Sequence, residues 1–469
     1  MNRITNQITI LFIACLMGIA YFSFNLFMLG NDLKDLYNYK RIFVCAILII
    51  LSFMVFGQIS FRENLIAQFK TMKSTAAILL VVLFFSAAIA NSFGFYFYRA
   101  QTDYFYFIGL VLFTTTISVV CYENRSRIFV YFSIFSYLLF LSVLVGHWLI
   151  VFWGNQTSNF AIIGFFNPRM LNQVQAWIII PVFYLAVIAR YQSKSSLLST
   201  LPAALNFSII VALDGRGVAI SSISAILLWA WFDKPLRKTI LFVLIYSLFI
   251  GFFVKYIFLS PLPEYLYLGI VPESWIDIRT TPSGRLAIWM EALQMTSFWG
   301  HGGDAYACNA TLSDLPHNSI LLILVNWGVI AAISYIMLLL YCLKTVYFTK
   351  HRIVRVTGLS VLSGFAYSLV SAVIYSPLSQ LIGAISIAFF WAACNHFTTK
   401  SITDDVSINS RRKHILLKFC SIMLVGLVGY KVYLRIDNNH YRDMPMDSPQ
   451  FWLGQNCIDE EPRLLLEKR

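Results

Sequence analysis

The chain has 469 residues, of which 59% are hydrophobic and only 12% charged, and its formal net charge is +13. Soluble domains carry about 25% charged residues, so this composition excludes a soluble enzyme and reads as a polytopic helical membrane protein. The cation excess is a topology signal, not a nucleic-acid footprint, and no nucleic-acid partner is expected.

A helix that crosses a bilayer needs roughly 20 apolar residues. In chain order, segments near 8–29, 41–60, 74–91, 104–121, 128–152, 174–189, 199–213, 217–232, 239–260, 319–343, 357–375, 380–394 and 415–433 meet or approach that length. Two of them, 199–213 and 217–232, are short, and 415–433 contains Lys418 and Lys431. The pattern predicts about 12–13 transmembrane helices. The first apolar run is long and lacks a small-residue cleavage site, so it reads as an anchor and not as a signal peptide.

Cations set the orientation. With the N-terminus cytoplasmic, Arg62, Lys70, Lys73, Arg125, Arg127, Arg190 and Lys194 fall inside, as do the clusters at 234–238, 344–355 and 400–413. The outer loops before Leu378 hold few cations, Lys40, Arg41, Arg169, Arg216 and Arg285 among them. Residues 1–198 form a first set of helices. Residues 199–394 form a second set around one large outer loop, 261–318. The remainder, 395–469, is a cytoplasmic loop, a last helix at 415–433 and an outer tail. P-loop and GxGxxG patterns are absent, which argues against ATP-driven transport. No interrupted helices in matching halves and no chain of mid-span charges are evident, so a transporter is less well supported.

Most cysteines fall in or beside spans, where a small apolar role is the simplest reading. Cys308 in the loop and Cys457 in the tail would lie outside, and in an oxidising compartment they can pair. No His/Cys cluster points to a metal. Asp32 and Asp35 have D-x-x-D spacing, read here as a solvated loop.

The outer loops carry the chemistry. Arg216 stands in Asp214-Gly215-Arg216-Gly217, with glycines that let a bulky ligand approach the backbone; the plainer alternative is an arginine snorkelling beside Asp214. Arg285 opens an amphipathic run in which Leu286, Trp289 and Leu293 recur at helical spacing, after a Pro282-Ser283 start signal. That describes an interfacial helix with Arg285 in its first turn, where phosphate is attracted. A solvated helix-face charge is the plainer reading. Trp299-Gly-His-Gly-Gly-Asp304 returns the chain to the membrane and is a weak phosphate-cradle signal. Of seven histidines, His317 has the best setting. Asp314 and Pro316 predict a helix start that places His317 in the first turn of a span, neutral near pH 7 and able to accept a proton, with Asn318 orienting a polar partner.

From about Leu213 to Gly328 these residues resemble the bacterial O-antigen ligases, the related polymerases and the protein O-oligosaccharyltransferases. The likeness rests on Gly215-Arg216-Gly217, on Ser283-Gly284-Arg285 with Trp289, on Gly300 with Gly302, and on Pro316-His317-Asn318 followed by Leu321, Leu324 and Gly328. Asn167-Pro168 resembles an outer-loop element of the same family. Trp327 stands where an acidic residue is expected, the glycine turn carries His301 and Asp304, and a thirteenth span with a tail is atypical of ligases.

The resemblance implies an all-α, GT-C-like membrane fold with one large periplasmic loop, in the bacterial inner membrane. It implies a metal-independent, cofactor-free, inverting glycosyltransferase whose donor is an undecaprenyl-pyrophosphate-linked glycan and whose active site faces the periplasm. Arg216 and Arg285 would neutralise the pyrophosphate, and His317 would activate or position the acceptor hydroxyl. Asn318, Arg169, Asn167 and Trp289 would contact substrate. A ligase, with a lipid A core sugar as acceptor, is the first reading. A polymerase, a protein O-oligosaccharyltransferase and a lipid-linked sugar transporter follow in that order.

Overall fold

The computed structural model describes residues 3–24, 33–152, 167, 169–193, 197–271, 284–398, 410–437 and 451–452. The described residues are 85% helical and contain no strand. The helices in chain order are α1 (Arg3–Phe24), α2 (Leu33–Gly57), α3 (Ile59–Lys70), α4 (Ser74–Ser92), α5 (Phe97–Glu123), α6 (Arg125–Phe152), α7 (Arg169–Gln175), α8 (Ile179–Tyr191) and α9 (Leu197–Ala212). They continue with α10 (Arg216–Phe232), α11 (Arg237–Val254), α12 (Leu262–Leu268), α13 (Arg285–Gln294), α14 (Ala305–Asn309), α15 (Ser319–Phe348), α16 (Arg352–Ser368), α17 (Pro377–Thr398) and α18 (Ser410–Asp437).

Each apolar segment read from the sequence contains a helix. Among the described residues, nine stretches are long and apolar enough to cross a membrane, ten if the bent pair α7–α8 is one span. The shorter helices α9, α10 and α16 fill the remaining segments. The chain is an all-α polytopic membrane protein. In the bundle α4 lies against α15, α5 against α17, α2 against α18, α9 against α11, and α10 against α16.

One expectation is corrected, and two further features of the spans stand beside it. The span expected from 41 begins at Leu33, so Lys40 and Arg41 are not loop cations; both are buried, and Arg41 is 1% exposed. A lone arginine in hydrocarbon costs roughly 2.5–3.5 kcal/mol or more, and this one is satisfied at every donor. Its Nε donates to Phe451 O at 3.1 Å. Nη1 donates to Tyr106 Oη at 3.0 Å and Gln380 Oε1 at 2.5 Å. Nη2 donates to Tyr37 Oη at 3.1 Å and Tyr375 O at 2.6 Å. The tail therefore returns to the bundle at Phe451 and Trp452, both buried. Asp35 likewise lies in the first turn of α2, not in a loop, and Asp32 lies outside the described residues.

Second, spans are interrupted. The α7 and α8 axes bend by 50° around Ala176–Ile178, and the freed carbonyl of Trp177 accepts from Ser360 Oγ at 2.5 Å and Ser386 Oγ at 2.9 Å. Helix α15 breaks at Gly328, where φ is +85° and ψ −179°. Segment 298–302 runs along that break: His301 N donates to Val325 O at 3.0 Å, Gly302 N to Asn326 O at 2.8 Å, and Val329 N to Phe298 O at 3.0 Å. Irregular backbone survives inside a membrane only when protein satisfies it in this way. The glycine turn is therefore a lock on α15, not an open phosphate cradle.

Third, charge is buried within spans. Asp103 of α5 lies within electrostatic reach of Asp304 at the end of that turn, and both are buried. Gly303 N donates to Asn91 Oδ1 of α4 at 2.8 Å, so the turn is fixed to α4 as well as to α15.

Candidate functional site

The bundle end that carries 261–318 gathers the singled-out residues of four separate elements. Arg169 is the first residue of α7, Arg216 of α10 and Arg285 of α13, and His317 immediately precedes Asn318, the N-cap of α15. Local chemistry fixes each position. Asn167 Oδ1 accepts from Arg169 N at 2.9 Å, so its side chain serves the start of α7. The turn between α9 and α10 brings Gly215 against Asn172, whose Nδ2 would lie 2.6 Å from any added Cβ. Gly284 turns the chain into α13 at φ +65°; the expected start at Pro282-Ser283 lies outside the described residues.

His317 is not in the first turn of α15. Asn318 caps that helix, its Oδ1 accepting from Ile320 N at 3.0 Å and Leu321 N at 3.2 Å, so Asn318 is engaged as an N-cap. His317 sits one residue earlier with φ +51°, a left-handed conformation uncommon outside glycine and of a kind that clusters at functional sites. Trp289 Nε1 donates to Pro316 O at 2.9 Å, making Trp289 a strut between α13 and the His317 segment. Glu291 adds a second tie: its carboxylate accepts from Thr311 N and Oγ1, each at 2.6 Å, and from Leu312 N at 3.2 Å. Arg285 and His317 are thus held at a set spacing.

Arg285 lies within electrostatic reach of Arg169, Arg216 and His317. Burial and the charges of Arg169 and Arg216 hold the Arg285 pKa below its ordinary range. Burial, then Arg285 and Arg169, hold His317 down to about 4. Arg216 also pairs with Asp214 at 3.5 Å, but both are substantially exposed, and an exposed pair of this kind is worth little. Like charges kept together raise the local potential and select an anion, and guanidinium forks suit phosphate oxygens.

Sequence reasoning missed Tyr367, Ser371 and Gln173. The Tyr367 ring abuts Gly217, where an added Cβ would stand 2.7 Å from Cε2, and Tyr367 lies within electrostatic reach of Arg169 and Arg285. Ser371 and His317 line one small cleft. That cleft shares Leu322, Ile374 and Tyr375 with a deeper, mostly apolar cavity of about 210 Å³ between α4, α5, α15 and α17. Only the clustered serines of 360–371 could have marked Tyr367 as more than an apolar-span residue.

Cys308 is disulfide-bonded, and the six other described cysteines are free; Cys457 lies outside the described residues. No family model, curated protein or solved structure matches the chain.

Proposed function

We propose that this chain is an O-antigen ligase of the bacterial inner membrane. It would transfer a glycan from undecaprenyl pyrophosphate to a hydroxyl of a lipid A core sugar at the periplasmic face. The observation that carries the reading is the grouping of Arg169 and Arg285 around the half-buried imidazole of His317, with Arg216 close enough to act on Arg285. In this reading loop 261–318 is periplasmic, the fold is of the GT-C type, and the disulfide at Cys308 fits an oxidising compartment. The cavity sharing a wall with the His317 cleft offers an apolar site for carrier hydrocarbon.

The chemistry follows from the charges. The acceptor oxygen attacks the anomeric carbon, the carbon–oxygen bond to the diphosphate breaks, and the bond's electron pair leaves with the diphosphate. The arginines stabilise that growing charge. His317 receives the acceptor proton. At a pKa near 4 the imidazole is a weak base. Binding of the diphosphate offsets the charges of Arg285 and Arg169, so its basicity rises when the donor is in place. Donor binding would therefore prepare the acceptor step.

The test is lipopolysaccharide banding from a deletion strain complemented with wild type, Arg285→Ala or His317→Ala. Wild type should restore the ladder. Either variant should lose it while polymerised glycan builds up on the carrier lipid. A single-repeat band in place of the ladder would assign the same site to polymerisation, and a normal ladder from both variants would refute the assignment.

A further inference from the structure

A general base acts best when a further group fixes its orientation. Among the described residues, none is hydrogen-bonded to the His317 imidazole. The cleft that His317 lines with Ser371 offers about 10 Å³ of water-sized space, room for a single water and nothing larger. Other polar side chains of the cleft are engaged elsewhere. Asn318 Oδ1 caps α15. Ser319 Oγ lies 2.7 Å from Ser368 Oγ and accepts from Tyr335 Oη at 3.0 Å. The Tyr375 hydroxyl is within electrostatic reach of Asp103 and Asp304, on the cavity side. Ser371 is placed differently. Gln173 Nε2 donates to its Oγ at 3.0 Å, and a hydroxyl oxygen has a second acceptor site. Both residues are buried, so that oxygen is held in place at the cleft wall.

We infer that a single water in this cleft accepts from the imidazole N–H of His317 and donates to Ser371 Oγ, which Gln173 holds. The chain from Gln173 through Ser371 and the water fixes the ring's tautomer. A nitrogen that donates into the cleft leaves the other unprotonated and turned to the substrate side. As the acceptor oxygen bonds to the anomeric carbon, its proton passes to that outward nitrogen. The imidazolium so formed holds the water by a stronger, charge-assisted bond. Ser371 and Gln173 are thus positioning residues that act through His317. Their part in transfer rests on the donor-site reading above, whereas their hold on the ring does not.

The experiment is nitrogen NMR of the full-length chain in nanodiscs, isotope-labelled at histidine, with size exclusion confirming the folded state. The His317 signals are those missing from His317→Ala, and the two ring nitrogens report the tautomer directly. Wild type should show one dominant tautomer. Ser371→Ala should shift the tautomer ratio by about 2- to 10-fold, the weight of one hydrogen bond, and Ser371→Thr, which keeps the hydroxyl, should restore it. An unchanged ratio in Ser371→Ala would overturn the inference, as would an equal shift in Ser371→Thr, which would assign the effect to packing. Transfer from a carrier-linked glycan is measured alongside. Ser371→Ala should lower kcat about 10- to 100-fold, part of the roughly 10²–10⁴ that a positioned base supplies, with its affinity for inorganic pyrophosphate unchanged. A shifted tautomer with kcat unchanged would keep the water bridge and overturn the base role of His317, which belongs to the donor-site reading.

Discussion

Gly328→Ala is the sharpest test of the lock between loop and bundle. At φ +85° and ψ −179° the residue occupies backbone space essentially reserved for glycine, and an added Cβ would meet Phe298 O at 2.4 Å and Trp299 C at 2.6 Å. Both neighbours are backbone, so no side-chain rotation relieves the clash. The strained conformation alone costs about 1–3 kcal/mol. Moving segment 298–302 away sacrifices one or more of the bonds from Val329, His301 and Gly302, each worth about 1–3 kcal/mol when buried groups are left unpaired. The total is about 2–6 kcal/mol if one bond is lost, and more if two or three are. Gly426→Ala is the matched control: nothing lies within 4 Å of its added Cβ, and alanine in a helix is favoured by roughly 0.5–1 kcal/mol. Thermal melting followed by fluorescence-detected size exclusion should show a large loss for Gly328→Ala and none for Gly426→Ala. Equal melting of both variants and wild type would refute the lock.

Arg41→Met should leave Tyr375 O, Phe451 O and Tyr37 Oη short of a donor, at about 1–3 kcal/mol each, and lower the melting temperature; an unchanged melt would show that the network is not stabilising. Glu291→Ala, partly solvated, should melt almost normally yet lose up to about 10²-fold in transfer as the Arg285–His317 spacing loosens, and full activity would reject the clamp. Because the folded pKa of His317 is depressed to about 4 from an ordinary 6.5, its imidazole stays neutral as pH falls through 6.5, while the unfolded chain takes up its proton there. Its contribution to stability therefore declines between pH 6.5 and 4. The acid limb of kcat/KM should lie near 4, with that of kcat higher because bound diphosphate raises the pKa. A His317-dependent limb near 6.5 in kcat/KM would contradict this assignment.

The helical class, the positions of the spans and the residues that meet at the arginine site were legible, because apolar length and out-of-place charge are local signals. Arg216, Arg285 and His317 each stand out in a greasy chain. Their supports do not. Asn318 reads as a polar partner for substrate until the cap geometry is seen, and Trp289 as an interfacial anchor until its bond to Pro316. Arg41 looked like a loop cation because its acceptors come from positions as distant as Tyr106, Tyr375, Gln380 and Phe451. The break at Gly328 was hidden for the same reason: its partners lie on the returning segment 298–302, and periodicity carries no record of that pairing. Tyr367 was hidden by company, one more aromatic in an apolar run.

The interlocking of 298–302 with Val325–Val329 bears on how such proteins can be recombined. The loop looks like a detachable cassette that could be exchanged as a unit. It is not one, because its returning segment supplies the partners for carbonyls and amides that α15 leaves open. A chimera joined at Ser319 would mismatch those partners in the bundle interior. A chimera joined beyond Val329 would carry both halves together, making loop and half-helix the smallest unit that can be exchanged.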